Sequence, residues 1–288
     1  AEANWRDDDQ RLLTGLRLGA SSRDHGRWLS GRLVARSADE RFTTLVALGR
    51  REGDETSNNA DDPQFAANPA RYRNDSALAK FGFDAGDAGR WLATLEQGRG
   101  ERSTDVQSLL FGPGRFATTY ALDADDRTRR DRASLEVEWP TAGPIGPVRA
   151  LLYRQDSRSE QLSDQYRLAD RATPFPSQRF RAFGFDQESL GLELTGQWRG
   201  EWAGLSHWQV FGVDLVRHDY RGLRDGTETN LLTGATTNVI LGEVFPLRDF
   251  PNSSARELGV FWQDEIDFGN GWAIVPGIRW ESYELDAN

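Results

Sequence analysis

Ser254 to Tyr283, SARELGVFWQDEIDFGNGWAIVPGIRWESY, is the stretch on which the fold turns. Leu258, Val260, Trp262, Ile266 and Phe268 share one parity, and Glu257, Gly259, Gln263, Glu265 and Asp267 take the other. After Gly269-Asn270-Gly271 the pattern resumes, with Trp272, Ile274, Ile278 and Trp280 set against Gly277, Arg279 and Glu281. A period of two describes strands whose faces meet different solvents. The Gly-Asn-Gly connector allows the positive φ values of a short hairpin. If the turn closes at Phe268 and Trp272, Ile266 meets Ile274, Trp262 meets Ile278 and Val260 meets Trp280. The result is one apolar ladder backed by a polar face. In a soluble sandwich that ladder would meet a second sheet; in an outer-membrane barrel it would meet lipid.

Composition narrows the choice. The chain has 288 residues, a net charge of −10 and 28% charged residues, with a mean hydropathy of −0.65. No apolar run approaches the roughly 20 residues of a membrane helix. A β-barrel remains compatible, because charged lumens and loops dilute its lipid face. The acidic balance argues against nucleic acid as a partner, and the lack of Cys fits an oxidising compartment. Ten Trp and 29 Gly suit interfacial aromatics and tight turns. The start, AEANWRDDDQ, has neither the basic end nor the apolar centre of a signal peptide, and without an initiating Met it reads as a processed or truncated terminus.

Alternation of this kind predicts about eleven strands, at 10–20, 27–36, 41–51, 75–84, 90–98, 130–139, 147–155, 187–198, 206–217, 255–268 and 272–283. Strand 206–217 alternates less cleanly, which predicts a bulge. From residue 41 the connections alternate between long (52–74, 99–129, 156–186, 218–254) and short (85–89, 140–146, 199–205, 269–271). A meander with its long loops at one end and tight turns at the other has the arrangement of outer-membrane barrels, the long loops being extracellular. Phe83, Trp91, Trp139, Trp198, Trp208, Phe268 and Trp272 fall at the tight-turn ends and form the expected interfacial girdle. Asp264 lies on the lipid parity opposite Pro276, so a local bulge is expected to turn it away from lipid. The expected fold is therefore all-β: an antiparallel up-and-down transmembrane β-barrel. Residues 1–288 would form one partial segment of it, since unpaired first and last strands are untenable in lipid.

Three stretches carry a family resemblance. Phe245-Pro-Leu-Arg-Asp-Phe-Pro-Asn-Ser-Ser-Ala-Arg-Glu-Leu-Gly-Val-Phe-Trp-Gln-Asp-Glu-Ile266, followed by Ile274-Val-Pro-Gly-Ile-Arg-Trp280, resembles the TonB-dependent outer-membrane receptors. Within them it is most similar to the haem/haemoglobin and transferrin/lactoferrin branch, which Arg127-Thr-Arg-Arg-Asp-Arg-Ala-Ser134 and Tyr153-Arg-Gln-Asp156 also resemble. The resemblance implies a barrel of about 22 strands, a plug domain that this chain does not contain, and uptake powered through TonB. It implies haem, or haem on a haemoglobin-like protein, as the transported ligand, with no resident cofactor.

The residues themselves describe binding rather than catalysis. No nucleophile–base constellation is present, and three His are too scattered for a metal site. His207 sits at a tight-turn end and reads as interfacial. Asp123-Ala-Asp-Asp126, and Asp54 with Asp61 and Asp62, read as solvated loop acids. Gly112-Pro-Gly114 and Gly222-Leu-Arg-Asp-Gly226 read as turns. The long loop after residue 217 holds the best ligand candidates: His218, Tyr220, Arg221, Arg224, Phe245, Arg248 and Phe250. Their aromatic rings could stack on a porphyrin and their guanidinium groups could pair with its carboxylates. A ferric-siderophore receptor of the same fold, a passive porin-like channel and a soluble β-sandwich are the alternatives.

Overall fold

The computed structural model describes residues 10–58, 66–141 and 145–287. The strands are β1 (Leu12–Ser21), β2 (Gly26–Arg36), β3 (Phe42–Asp54), β4 (Ala70–Asp84), β5 (Arg90–Asp105), β6 (Thr119–Trp139), β7 (Val148–Arg167), β8 (Ser177–Trp202) and β9 (Leu205–Asn230). There follow β10 (Thr236–Thr237), β11 (Val239–Ile240), β12 (Glu243–Val244), β13 (Ser253–Asp267), β14 (Ala273–Ile274) and β15 (Gly277–Ala287). Each long strand pairs antiparallel with its chain neighbour, giving one up-and-down sheet in the order β1 to β9, then β13, which β14 and β15 follow. The hairpin expected from the sequence is present with its register: Ile266↔Ile274, Trp262↔Ile278 and Val260↔Trp280.

One face of this sheet is apolar from strand to strand. Leu16, Leu48, Leu95, Leu135, Leu152, Leu192, Leu215 and Val260 all lie on it, each more than a third exposed. A soluble sandwich would cover such a face with a second sheet; among the described residues none lies over it. Past the apolar positions the same face turns to charge, at Arg50, Asp75, Asp131, Arg154, Glu188 and Arg256. Some of these charges pair across strands, as in Arg50–Asp75 at 2.6 Å and Arg154–Glu188. From Leu190 to Trp198 the strand rises about 26 Å at the usual ~3.3 Å per residue. A tilt of about 40° reduces this to about 20 Å along the membrane normal, near the ~25 Å apolar height of outer-membrane barrels.

The turn-side edge of the band carries aromatics. Phe83 stacks on Phe42 with centroids 4.6 Å apart, and Trp91 meets Trp139 edge-on at 6.4 Å. Trp198, Phe268 and Trp272 share the apolar parity, and Trp272 is 75% exposed. Trp208 does not belong to this girdle. The turn after β8 is only Ala203-Gly204, both at positive φ, so Trp208 faces Arg199 on the polar side. Its Nε1–H donates to Gln197 Oε1 at 3.1 Å, beneath the Arg199 guanidinium. Trp202, 70% exposed, takes the outer position instead.

Further expectations are corrected. No bulge interrupts β9, whose ladders to β8 and β13 run without a shift. Nor does a bulge remove Asp264 from the lipid parity. Its carboxylate is buried there by His207, Nδ1 to Oδ2 2.8 Å, and by Gln209 at 3.3 Å, while its N–H donates to Pro276 O at 3.0 Å. His207 is accordingly 4% exposed rather than interfacial. Finally, the strands run well past the band, so the connections shrink to 55–69, 106–118, 168–176 and 231–252. Asp123-Ala-Asp-Asp126 and Gly222–Gly226 therefore lie within β6 and β9. Asp61 and Asp62 fall outside the described residues.

Two polar clusters tie the loop-side strand ends together. Arg167, Arg179 and Glu228 are buried on adjacent strands, with Arg179 Nε 2.9 Å from Glu228 Oε1 and Arg167 paired to Asp170. Ser177 and Thr173 complete the network. Between β1 and β2, Asp24 accepts hydrogen bonds from the Tyr72 hydroxyl and from Arg51 Nη2 at 2.8 Å. Those two donors, Tyr72 foremost, hold the Asp24 carboxyl well below the usual carboxylate range. Backbone donation from Thr173, then Arg167, does the same for Asp170.

Glu228→Ala leaves the buried Arg179 guanidinium without its carboxylate partner. It is expected to cost about 3–5 kcal/mol, read from urea titration in detergent, whereas Glu284→Ala at the exposed end of β15 should cost less than about 1 kcal/mol. Because Asp24 and Asp170 have depressed folded-state pKa values, their contribution is present above about pH 4 and is lost as pH falls through the folded values. Hydrogen exchange is expected to show both turns losing protection on acidification, and Asp24→Asn should abolish the pH dependence at residues 22–25.

Candidate functional site

The polar face of the sheet is bare over much of its area, but not at the loop end of β9. There residues 231–252 fold back onto it. β11 and β12 form a small hairpin, Val239↔Val244 and Ile240↔Glu243, turning at Leu241-Gly242 with positive φ at both. Its apolar side faces the wall, leaving Ile240 1% and Phe245 2% exposed. Two glycines on the polar parity of β9 make the close approach possible. A Cβ at Gly222 would lie 2.6 Å from Phe250 Cζ, and one at Gly226 would lie 3.0 Å from Ile240 Cδ1. The segment read from sequence as a turn is thus a flat strand surface on which a loop rests.

Arg224, between those glycines, pins the loop. Its backbone exchanges hydrogen bonds with Leu247 at 2.8 and 2.9 Å. Its guanidinium reaches Asp249 at 2.9 Å and Glu243 at 3.5 Å, and lies over the Phe245 ring. The hydrogen bond to Asp249 keeps Arg224 firmly protonated.

Below the loop stands a row of rings on the same face. His218 stacks on Tyr220 with centroids 5.8 Å apart, Tyr220 on Phe185 at 6.2 Å, and Phe185 meets Phe250 edge-on at 6.0 Å. His218 Nδ1 lies 2.8 Å from Ser189 Oγ, and Nε2 lies 3.9 Å from Glu257 Oε1, which orients the imidazole. Burial pushes the Tyr220 phenol up, in a part of β9 beyond the apolar band.

Of the seven residues singled out by sequence, His218, Tyr220 and Phe250 come together in this row. Phe245 is the buried core of the hairpin, and Arg224 is its strut, neutralised by two carboxylates. Arg221 has the opposite parity and lies on the outer face among Asp186, Asp219 and Arg158. Arg248 is exposed on the loop. Phe185 lies in the 156–186 stretch that alternation marks as a loop; its signal is the parity it shares with Phe183 and Gln187 once β8 is extended upward. Among the described residues no three His, Asp or Glu side chains converge to hold a metal ion.

The family model "TonB dependent receptor-like, beta-barrel" matches residues 4–288. No curated protein sequence matches. Among solved structures the chain is similar to the copper transporter OprC, at 15% identity and a TM-score of 0.63, over 96% of this chain and 38% of that one. It is similar to the ferripyoverdine receptor of the outer membrane of Pseudomonas aeruginosa, at 11% identity and a TM-score of 0.63, over 98% and 38%. The RagAB peptide transporter follows at 10% identity and 0.62, over 89% and 32%. The chain thus spans less than two fifths of the length of these structures. It belongs to the TonB-dependent receptor family, and forms a stretch of the transmembrane β-barrel that these proteins place in the outer membrane of Gram-negative bacteria.

Proposed function

We propose that the protein containing this segment imports haem, taken free or from a haemoglobin-like protein, across the outer membrane, energised through the TonB complex by way of a plug domain. Its partners on this reading are TonB, the haem source and the surrounding lipid, with no nucleic acid; its work is transport and not catalysis. Haem is cargo, and no cofactor resides in this segment.

The observation that carries the reading is the ring row on the polar face: His218 and Tyr220 of β9, Phe185 of β8 and Phe250 of the folded-back loop, each in contact with the next. Loop-end residues facing the lumen are the first that a ligand from outside would meet. A stacked imidazole and phenol offer both iron-ligating groups and aromatic faces for a flat ligand. The sequence resemblance over 245–280 supports the same branch. A ferric-siderophore receptor is the second reading, favoured by the similarity of fold to the ferripyoverdine receptor. On that reading the rings would pack against an iron chelate without binding the iron.

Titration of the full-length receptor in detergent with haemin is expected to shift the Soret band at one equivalent. His218→Ala should weaken the binding by roughly tenfold and Phe185→Ala by roughly three- to tenfold, whereas Arg221→Ala, on the outer face, should change nothing. Cells with haemin as the only iron source should need both this receptor and TonB for growth. An unshifted Soret band, with TonB-dependent growth on a siderophore instead, would transfer the assignment to the second reading.

A further inference from the structure

Beside the ring row, the same folded-back loop encloses a cavity of about 430 Å³ against the polar face. Its floor is formed by β6, β7 and β8, its roof by the β11–β12 hairpin, and its rim by Arg115 and Phe116 of the 106–118 connection. Arg181 enters from β8, half-buried. The charges acting on it most strongly are the cations of Arg179, Arg115 and Arg224, with Glu243 the one acid among them.

These cations differ in how they are satisfied. Arg179 is held by Glu228, and Arg224 by Asp249 and Glu243. Of the cavity's other acids, Asp225 accepts the Gly226 N–H, and Asp126 stands on the β6 wall. Among the described residues the Arg181 guanidinium has neither an ion pair nor a hydrogen bond, and Arg115 only lies over the Phe116 ring. A guanidinium brings five donors in a planar fork, and withdrawing it from water without an acceptor is costly. The fold nevertheless holds Arg181 in a cavity open at an arginine-bearing rim. Leu122, Phe183, Leu241 and Phe245 give the cavity an apolar side, facing the polar Gln161, Ser163 and Gln165.

We infer that this cavity binds the carboxylate of an organic anion, with Arg181 as its fork-shaped partner, Arg115 as the cation at the entrance and the apolar side receiving the carbon body. Bidentate pairing is the geometry that suits a guanidinium to a carboxylate. The apolar side favours an organic ligand over inorganic phosphate. The inference rests on the import reading for access from outside, and adds to it a class of ligand.

The probe is citrate, a compact tricarboxylate, with uncharged triethyl citrate as its control, titrated calorimetrically into the full-length receptor. Citrate is expected to bind and the triester not. Arg181→Gln should weaken citrate at least about tenfold, as loss of a charged hydrogen-bond pair does, and Arg181→Lys should fall between. Arg221→Gln should leave binding unchanged, and thermal melting should show each variant folded. Equal citrate binding by wild type and Arg181→Gln, no citrate binding, or inorganic phosphate binding as well as citrate would each overturn the inference. The haemin titration separates the two proposals. Citrate binding through Arg181 with an unmoved Soret band removes the haem reading and leaves the cavity assignment standing, and the reverse pattern does the opposite.

Discussion

A peptide group in hydrocarbon has no water to bond, so a chain crossing a bilayer as strands must pair every N–H and C=O laterally while its side chains divide between two solvents. Everything in this segment answers to that constraint. The ladders run from β1 to β15 nearly without register shifts, because a slip of one residue would exchange lipid-facing leucines for lumen-facing charges. The positions that break the alternation are handled locally. Asp264, on the lipid side, is enclosed by His207 and Gln209, where an acid in the band would otherwise cost up to about 1–2 kcal/mol, less than a basic residue.

Above the band the constraint relaxes, and the same strands do different work. Both faces of β6 to β9 become polar, and stability there comes from cross-strand ion pairs and from the buried Arg167–Arg179–Glu228 network rather than from an apolar core. That network holds rigid the strand ends that carry the ring row and the cavity. The 231–252 loop then converts a flat wall into a concave one. It can do so because Gly222 and Gly226 leave the wall without side chains where Phe250 and Ile240 must lie.

The band and the hairpin register were legible in the sequence because lipid imposes a period of two that few other environments sustain. Strand ends were not. In Arg127-Thr-Arg-Arg-Asp-Arg132 both faces are polar, so no alternation marks the strand, and a paired ladder looks like a loop. Trp208 was misplaced for a related reason: the turn after β8 has two residues rather than seven, and the shorter turn sets Trp202 on the apolar face. Of the site, the stretch after residue 217 named three of the ring-row members. Phe185, Arg181 and Arg115 come from segments distant in sequence, and only the fold-back of the loop gives them a common role.

The central claim is that the apolar parity faces the bilayer and the polar parity a wet interior. Cysteine is absent from the chain, so single nitroxide labels can be placed at successive positions from 188 to 198 in the full-length receptor reconstituted in lipid. Collision with oxygen, which concentrates in hydrocarbon, should peak at 190, 192 and 194. Collision with a water-soluble nickel complex should peak at 191, 193 and 195 instead. Uniform accessibility along β8, or oxygen maxima at the odd positions, would contradict the account.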